Sequence, residues 1–185
     1  MRFFSSARER TLWLAALSAV AVIYGSLPLV GALARHQMAE GLLAALFGLG
    51  FGGAIVATVA NGLRSGRGRE LWIGTGVVAV YLMVFVRLNL SPAERTHLFE
   101  YGVVAVLIYE ALLERAREGG RVLMPGPTAV LAGACLGWLD EGLQLLSPTR
   151  VYDLQDVGVN ALAALLAVSA TWGLRWARRG RGTKG

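Results

Sequence analysis

From Leu12 to Leu33 the chain reads LWLAALSAVAVIYGSLPLVGAL, without one aspartate, glutamate, lysine, arginine or histidine. About 20 helical residues of this kind cross a hydrocarbon core of about 30 Å, so the stretch is long enough to span a membrane by itself. Runs of the same character recur at 41–63, 71–90, 97–113, 129–146 and 157–176. The whole chain of 185 residues is 55% hydrophobic and only 16% charged, where a soluble domain carries about 25% charge. The runs lack the polar–apolar alternation of a barrel strand, and open sheet edges are excluded in lipid. The expectation is an all-α integral membrane bundle of about six transmembrane helices. Its connections are short, so 1–185 reads as a single membrane domain.

The cations orient the bundle. Fourteen of the 18 lysines and arginines fall on one side: Arg2, Arg8 and Arg10; Arg64, Arg67 and Arg69; Arg115, Arg117 and Arg121; Arg175, Arg178, Arg179, Arg181 and Lys184. Arg35, Arg87, Arg95 and Arg150 fall on the other. Cytoplasmic loops carry the excess of lysine and arginine, which puts both termini in the cytoplasm. The net charge of +6 sits in these loops and in the tail, a pattern of topology signals and anionic-lipid contact and not of nucleic-acid binding.

Several local features have plain readings. The apolar run after Met1–Arg10 is longer than the core of a signal peptide, so an uncleaved first helix is expected despite the small-x-small Ala32-Leu33-Ala34. Gly48-Leu49-Gly50-Phe51-Gly52-Gly53 spells a dinucleotide-binding pattern but lies within a span. There Gly48 and Gly52 form a face for close helix approach. Pro125-Gly126-Pro127 predicts a stiff, helix-free lead into the fifth span. Cys135, the single cysteine, reads as a small packed residue. Glu110 is expected to pair with Arg115 or to reach water.

Two polar runs interrupt the apolar chain, and the topology brings both to the outer side. Ionisable groups at membrane depth cost about 2.5–3.5 kcal/mol each on insertion scales and need partners or a task. His97, Glu100 and Tyr101 share a helix face, as do Glu141 and Gln144, and Asp153, Asp156 and Asn160 mark the start of the sixth span. Arg150, in the tight turn Ser147–Tyr152, is expected to fold over the pocket. Six carboxylates (Glu94, Glu100, Asp140, Glu141, Asp153 and Asp156) meet three arginines (Arg87, Arg95 and Arg150), an excess that implies proton sharing, a bound cation or a cationic ligand. A guanidinium among them is also able to grip phosphate or carboxylate in a bidentate fork. His97 reads equally as a structural hydrogen bonder and as a proton-transfer or ligand-binding residue, with metal ligation a third option. Gln144 and Asn160 read as interhelical hydrogen bonders. Tyr101, Trp138 and Tyr152 fit an interfacial aromatic belt.

His97-Leu98-Phe99-Glu100-Tyr101, the Glu141-x-x-Gln144 pair, Pro148-x-Arg150-x-x-Asp153-x-x-Asp156 and the following Asn160 resemble, in order, the VanZ-like family. The resemblance covers 94–167, with Ala161 standing where the family often continues in glycine. It implies a multi-pass protein of the bacterial cytoplasmic membrane connected with tolerance of the glycopeptide antibiotic teicoplanin. On this reading the bundle binds an envelope lipid or a lipid-linked cell-wall precursor at its outer face. Arg150, Glu100, Tyr101, Gln144, Asp153 and Asn160 would line that site. The alternative is an intramembrane enzyme in which His97, Glu141 and Asp156 exchange protons while Arg150 holds an anionic headgroup. No cofactor, metal or nucleic-acid partner is expected, and the oligomeric state stays open.

Overall fold

The structure is a computed structural model that describes residues 3–33, 68–87, 92–145 and 152–179, with Ala45, Leu49, Gly53, Val56 and Ala60. Five helices occupy these segments, α1 (Ala7–Leu33), α2 (Gly68–Arg87), α3 (Pro92–Arg117), α4 (Pro125–Gln144) and α5 (Leu154–Arg179), and there is no strand among the described residues. Each coincides with one of the apolar runs, so the all-helical expectation holds. The run at 41–63, with Gly48 and Gly52, lies outside the described residues apart from the five isolated positions just named. By length and composition, one described helix is sufficient to cross a membrane, at Leu154–Arg178, and Trp72–Val84 is a shorter apolar helix.

The chain divides into two compact units, Met1–His36 with His97–Val168, and Gln37–Thr96 with Ser169–Gly185. In the second, Gly173 near the end of α5 lies against Ile73 of α2, where a Cβ would stand 3.7 Å from the isoleucine Cγ2. The first unit holds the polar residues of interest.

Local chemistry sets the helix ends of that unit. The Ser6 hydroxyl accepts the Glu9 backbone N–H at 3.0 Å, while the Glu9 carboxylate accepts the Ser5 N–H at 2.7 Å. This is a capping arrangement that supplies partners for donors at the start of α1. α3 stops at Gly119, whose φ of 83° lies in the left-handed region that glycine adopts without strain. Gly120 then donates its N–H to Arg115 O at 2.9 Å and Gly119 to Ala116 O at 3.3 Å, closing a Schellman motif. α4 begins on Pro125 itself, after Met124 in the left-handed region, so the Pro-Gly-Pro segment forms the first helical turn instead of a helix-free lead. Proline fits there because a first-turn N–H has no helical partner to lose.

α3, α4 and α5 meet along a seam of small residues. Ala105 and Ala111 of α3, Ala129 of α4, and Ala163 and Ala164 of α5 are fully buried. A Cβ on Gly133 would stand 3.0 Å from Ala164 Cβ and 3.1 Å from Ala105 Cβ, and one on Gly137 only 2.5 Å from Asn160 Cβ. Gly133 and Gly137 are therefore the GxxxG face at which backbones approach closely. α1 packs against α4, with the Tyr24 hydroxyl donating to Leu136 O at 2.7 Å. The outside of the unit stays apolar, with Leu14, Leu17, Val22, Val103, Leu131 and Leu165 exposed.

Candidate functional site

One face of α4 carries Ala129, Gly133, Gly137, Asp140, Glu141 and Gln144, and all six are buried. The glycines bring α5 close, and the polar residues follow one turn further along the same face. Asp140 and Glu141 are both fully buried. The Gln144 side-chain amide donates to Asp140 Oδ2 at 3.3 Å and to Glu141 Oε1 at 3.0 Å, so one neutral group bridges two acids. Its position at i+4 from one acid and i+3 from the other is what allows this.

Groups from the other helices close around the acids. The Asp140 charge bears on Tyr101 and Glu100 of α3 and on Tyr24 of α1. Tyr101 is fully buried, which corrects its expected place in an interfacial belt. It sits inward because the α3 face that packs on the seam, with Leu98, Val104 and Ala105, includes its position. Asn160 of α5 is also fully buried and donates Nδ2 to Gly137 O at 3.3 Å, an interhelical bond as expected. Asp156, one turn earlier, is 9% exposed.

The expected site residues thus fall into three groups. Glu100, Tyr101, Glu141, Gln144, Asp156 and Asn160 belong to this unit, with Asp140 at the centre of the charges. Asp153 is exposed and accepts the Gln155 N–H on Oδ1 at 2.7 Å, capping the start of α5. Arg150 and the side chains of His97, Glu94 and Arg95 lie outside the described residues. Trp138 remains exposed and, with Leu139, Gly142, Leu145 and Tyr152, lines an apolar groove of about 300 Å³ on the other face of α4. Cys135 is exposed as well, since it lies off the buried α4 face, and so is not the packed residue expected.

A second polar cluster lies at the opposite end of α3, about 21 Å from Glu100 at 1.5 Å per residue. Glu9 is fully buried there, and its carboxylate accepts the Ser5 hydroxyl at 2.6 Å, Trp13 Nε1 at 3.3 Å and Arg115 Nε at 2.7 Å. Arg115 also donates to Phe3 O at 2.7 Å, which ties the N-terminal segment to α3. Burial pushes the Glu9 carboxyl up, but the Ser5 bonds and the Arg115 guanidinium outweigh it and hold the group below its ordinary value. Glu110 pairs with Arg8 at 3.7 Å, and Glu114 with Arg8 and Arg117, each at 3.6 Å. Glu110 was expected to pair with Arg115 or to reach water; it meets Arg8, while the Arg115 guanidinium donates to Glu9. Sequence reasoning missed Glu9, although Ser6-x-x-Glu9 is a recognisable capping signal.

No family model, curated protein or solved structure matches this chain. Its function rests on the geometry.

Proposed function

We propose that this chain is a multi-pass helical protein of the cytoplasmic membrane, of VanZ-like type, with the Asp140–Glu141–Gln144 end facing outward. On this reading it binds an envelope lipid or lipid-linked cell-wall precursor there and thereby influences glycopeptide tolerance. The observation that supports it is the convergence of Tyr101, Asp140, Glu141, Gln144 and Asn160, all at most 3% exposed, within a unit whose outside is apolar. Polar groups held inside such a unit cost free energy, and in membrane proteins they mark ligand or ion sites. The apolar groove beside Trp138 and Tyr152 lies at the same end of α4, where an acyl or prenyl chain would run.

The test is native mass spectrometry of the full chain released from lipid nanodiscs. The wild type should retain a lipid class that Gln144→Ala loses at equal abundance in the membrane, with a matching fall in teicoplanin tolerance. Equal lipid retention by the two proteins would reject the site.

A further inference from the structure

Three of the chain's five tryptophans, Trp72, Trp172 and Trp176, are 79%, 63% and 52% exposed. Each stands at the end of an exposed helix face that is otherwise small or aliphatic. On α5 the exposed residues Leu154, Gly158, Leu165, Ser169, Trp172 and Trp176 share one face by helical spacing, with both indoles at its C-terminal end. On α2 the exposed Trp72, Gly76, Ala79 and Met83 do the same, with the indole at the N-terminal end. The two helices meet where Gly173 lies against Ile73, and each of these is next in sequence to a tryptophan. Trp72 and Trp172 therefore stand at one level.

That level has a measurable depth. Along α5, Trp172 and Trp176 lie about 27 Å and 33 Å from Leu154 at 1.5 Å per residue, and a hydrocarbon core is about 30 Å thick. Asp153, exposed and capping the start of α5, marks the polar boundary at the other end of the same helix. The charges agree with this placement. No acid follows Asp156, whereas Arg175, Arg178, Arg179, Arg181 and Lys184 do; Arg64, Arg67 and Arg69 precede Trp72, with Glu70 the one acid beside them. A cationic flank next to exposed indoles fits the phosphate layer of a phospholipid membrane. Tryptophan suits that layer because its ring is apolar while its N–H needs a polar partner.

We propose that Trp72, Trp172 and Trp176 are an anchor for the phospholipid headgroup interface at the basic end of α5. Their rings lie between the headgroups and the first acyl carbons, with the aliphatic face running on into the hydrocarbon. The anchor fixes the depth of α5, and with it the level of Asp156 and Asn160 at the start of that helix. The proposal rests on the membrane reading but not on any lipid bound at the Gln144 end.

Fluorescence of the full chain in phospholipid vesicles tests it, with bromine carried on the acyl chains either near the glycerol or near the methyl end. Trp72→Phe, Trp172→Phe and Trp176→Phe, made singly on exposed side chains, give the emission of each indole by difference. Tyrosine, which keeps an amphipathic ring, serves wherever a phenylalanine variant fails to accumulate. All three indoles should lose more emission to the shallow bromines than to the deep ones. Leu165→Trp, on the same face of α5 but midway along it, should show the reverse order. Stronger quenching of the three by deep bromines would overturn the anchor. So would their escape from both bromines while Leu165→Trp is quenched, which would place them in water or against a second copy of the chain. If Leu165→Trp also escapes, the chain is not in the bilayer, and the membrane reading falls together with the anchor.

Discussion

The two ends of the first unit handle buried acid in different ways. At one end Glu9 is gripped by two bonds from Ser5, one from Trp13 and one from Arg115, so its charge is matched by donors from two helices and the segment before them. At the other end Asp140 and Glu141 share the amide of Gln144, a neutral donor on their own helix. The first arrangement fixes one protonation state and clamps chain segments together. The second holds two acids on one helix face through a neutral amide. Structure is secured at the Arg115 end, and chemistry is possible at the Gln144 end.

The largest test of this contrast is Arg115→Ala. It strands a buried carboxylate and frees Phe3 O, and should destabilise the protein by about 2–3 kcal/mol. That is less than a fully buried pair would lose, because the Arg115 side chain is 38% exposed. Denaturant unfolding in detergent measures it, and a change below the error of the method would remove the clamp from the account. Gly137→Ala acts at the other end by inserting a methyl group 2.5 Å from Asn160 Cβ. Overpacking of this kind costs about 1–2 kcal/mol, and the same assay should show it without any loss at the Arg115 end.

The smallest effect is that of acid. The Glu9 carboxyl is held below its ordinary value of 4.5, so its contribution is complete above that pH and fades as the pH falls through the lower folded value. Stability of the wild type should drop there, and Glu9→Gln should flatten that part of the profile. The loss should be smaller than for Arg115→Ala, since a protonated Glu9 still accepts hydrogen bonds. A profile unchanged by Glu9→Gln would show that the group is not held in its charged form.

What the sequence made legible follows from how far apart the partners are. The apolar runs marked the helices, because hydrophobic length is a local property. Helical spacing put Glu141 with Gln144 and Asp156 with Asn160, because i+3 and i+4 neighbours share a face. The Glu9–Arg115 pair joins residues 106 positions apart, and no spacing rule reaches that far. Cys135 was misjudged for a related reason, and Tyr101 had been given both an inward and an interfacial place. An apolar helix in an apolar chain has no polar stripe to say which face turns inward, so Tyr101 went in and Cys135 stayed out. Gly133 and Gly137 were available to the same GxxxG rule that was applied to Gly48 and Gly52. The burial of the acids they precede was what made that copy of the motif matter.

The clamp at Glu9 also sets a clock. Chains are made at about 5–20 residues per second, so the 106 residues between Glu9 and Arg115 take about 5–20 s to follow. For that interval α1 exists without its guanidinium partner, with only Ser5 and Trp13 from its own surroundings to hold the acid. The N-terminal helix must therefore wait for the end of α3 before the contacts of its first turn are complete.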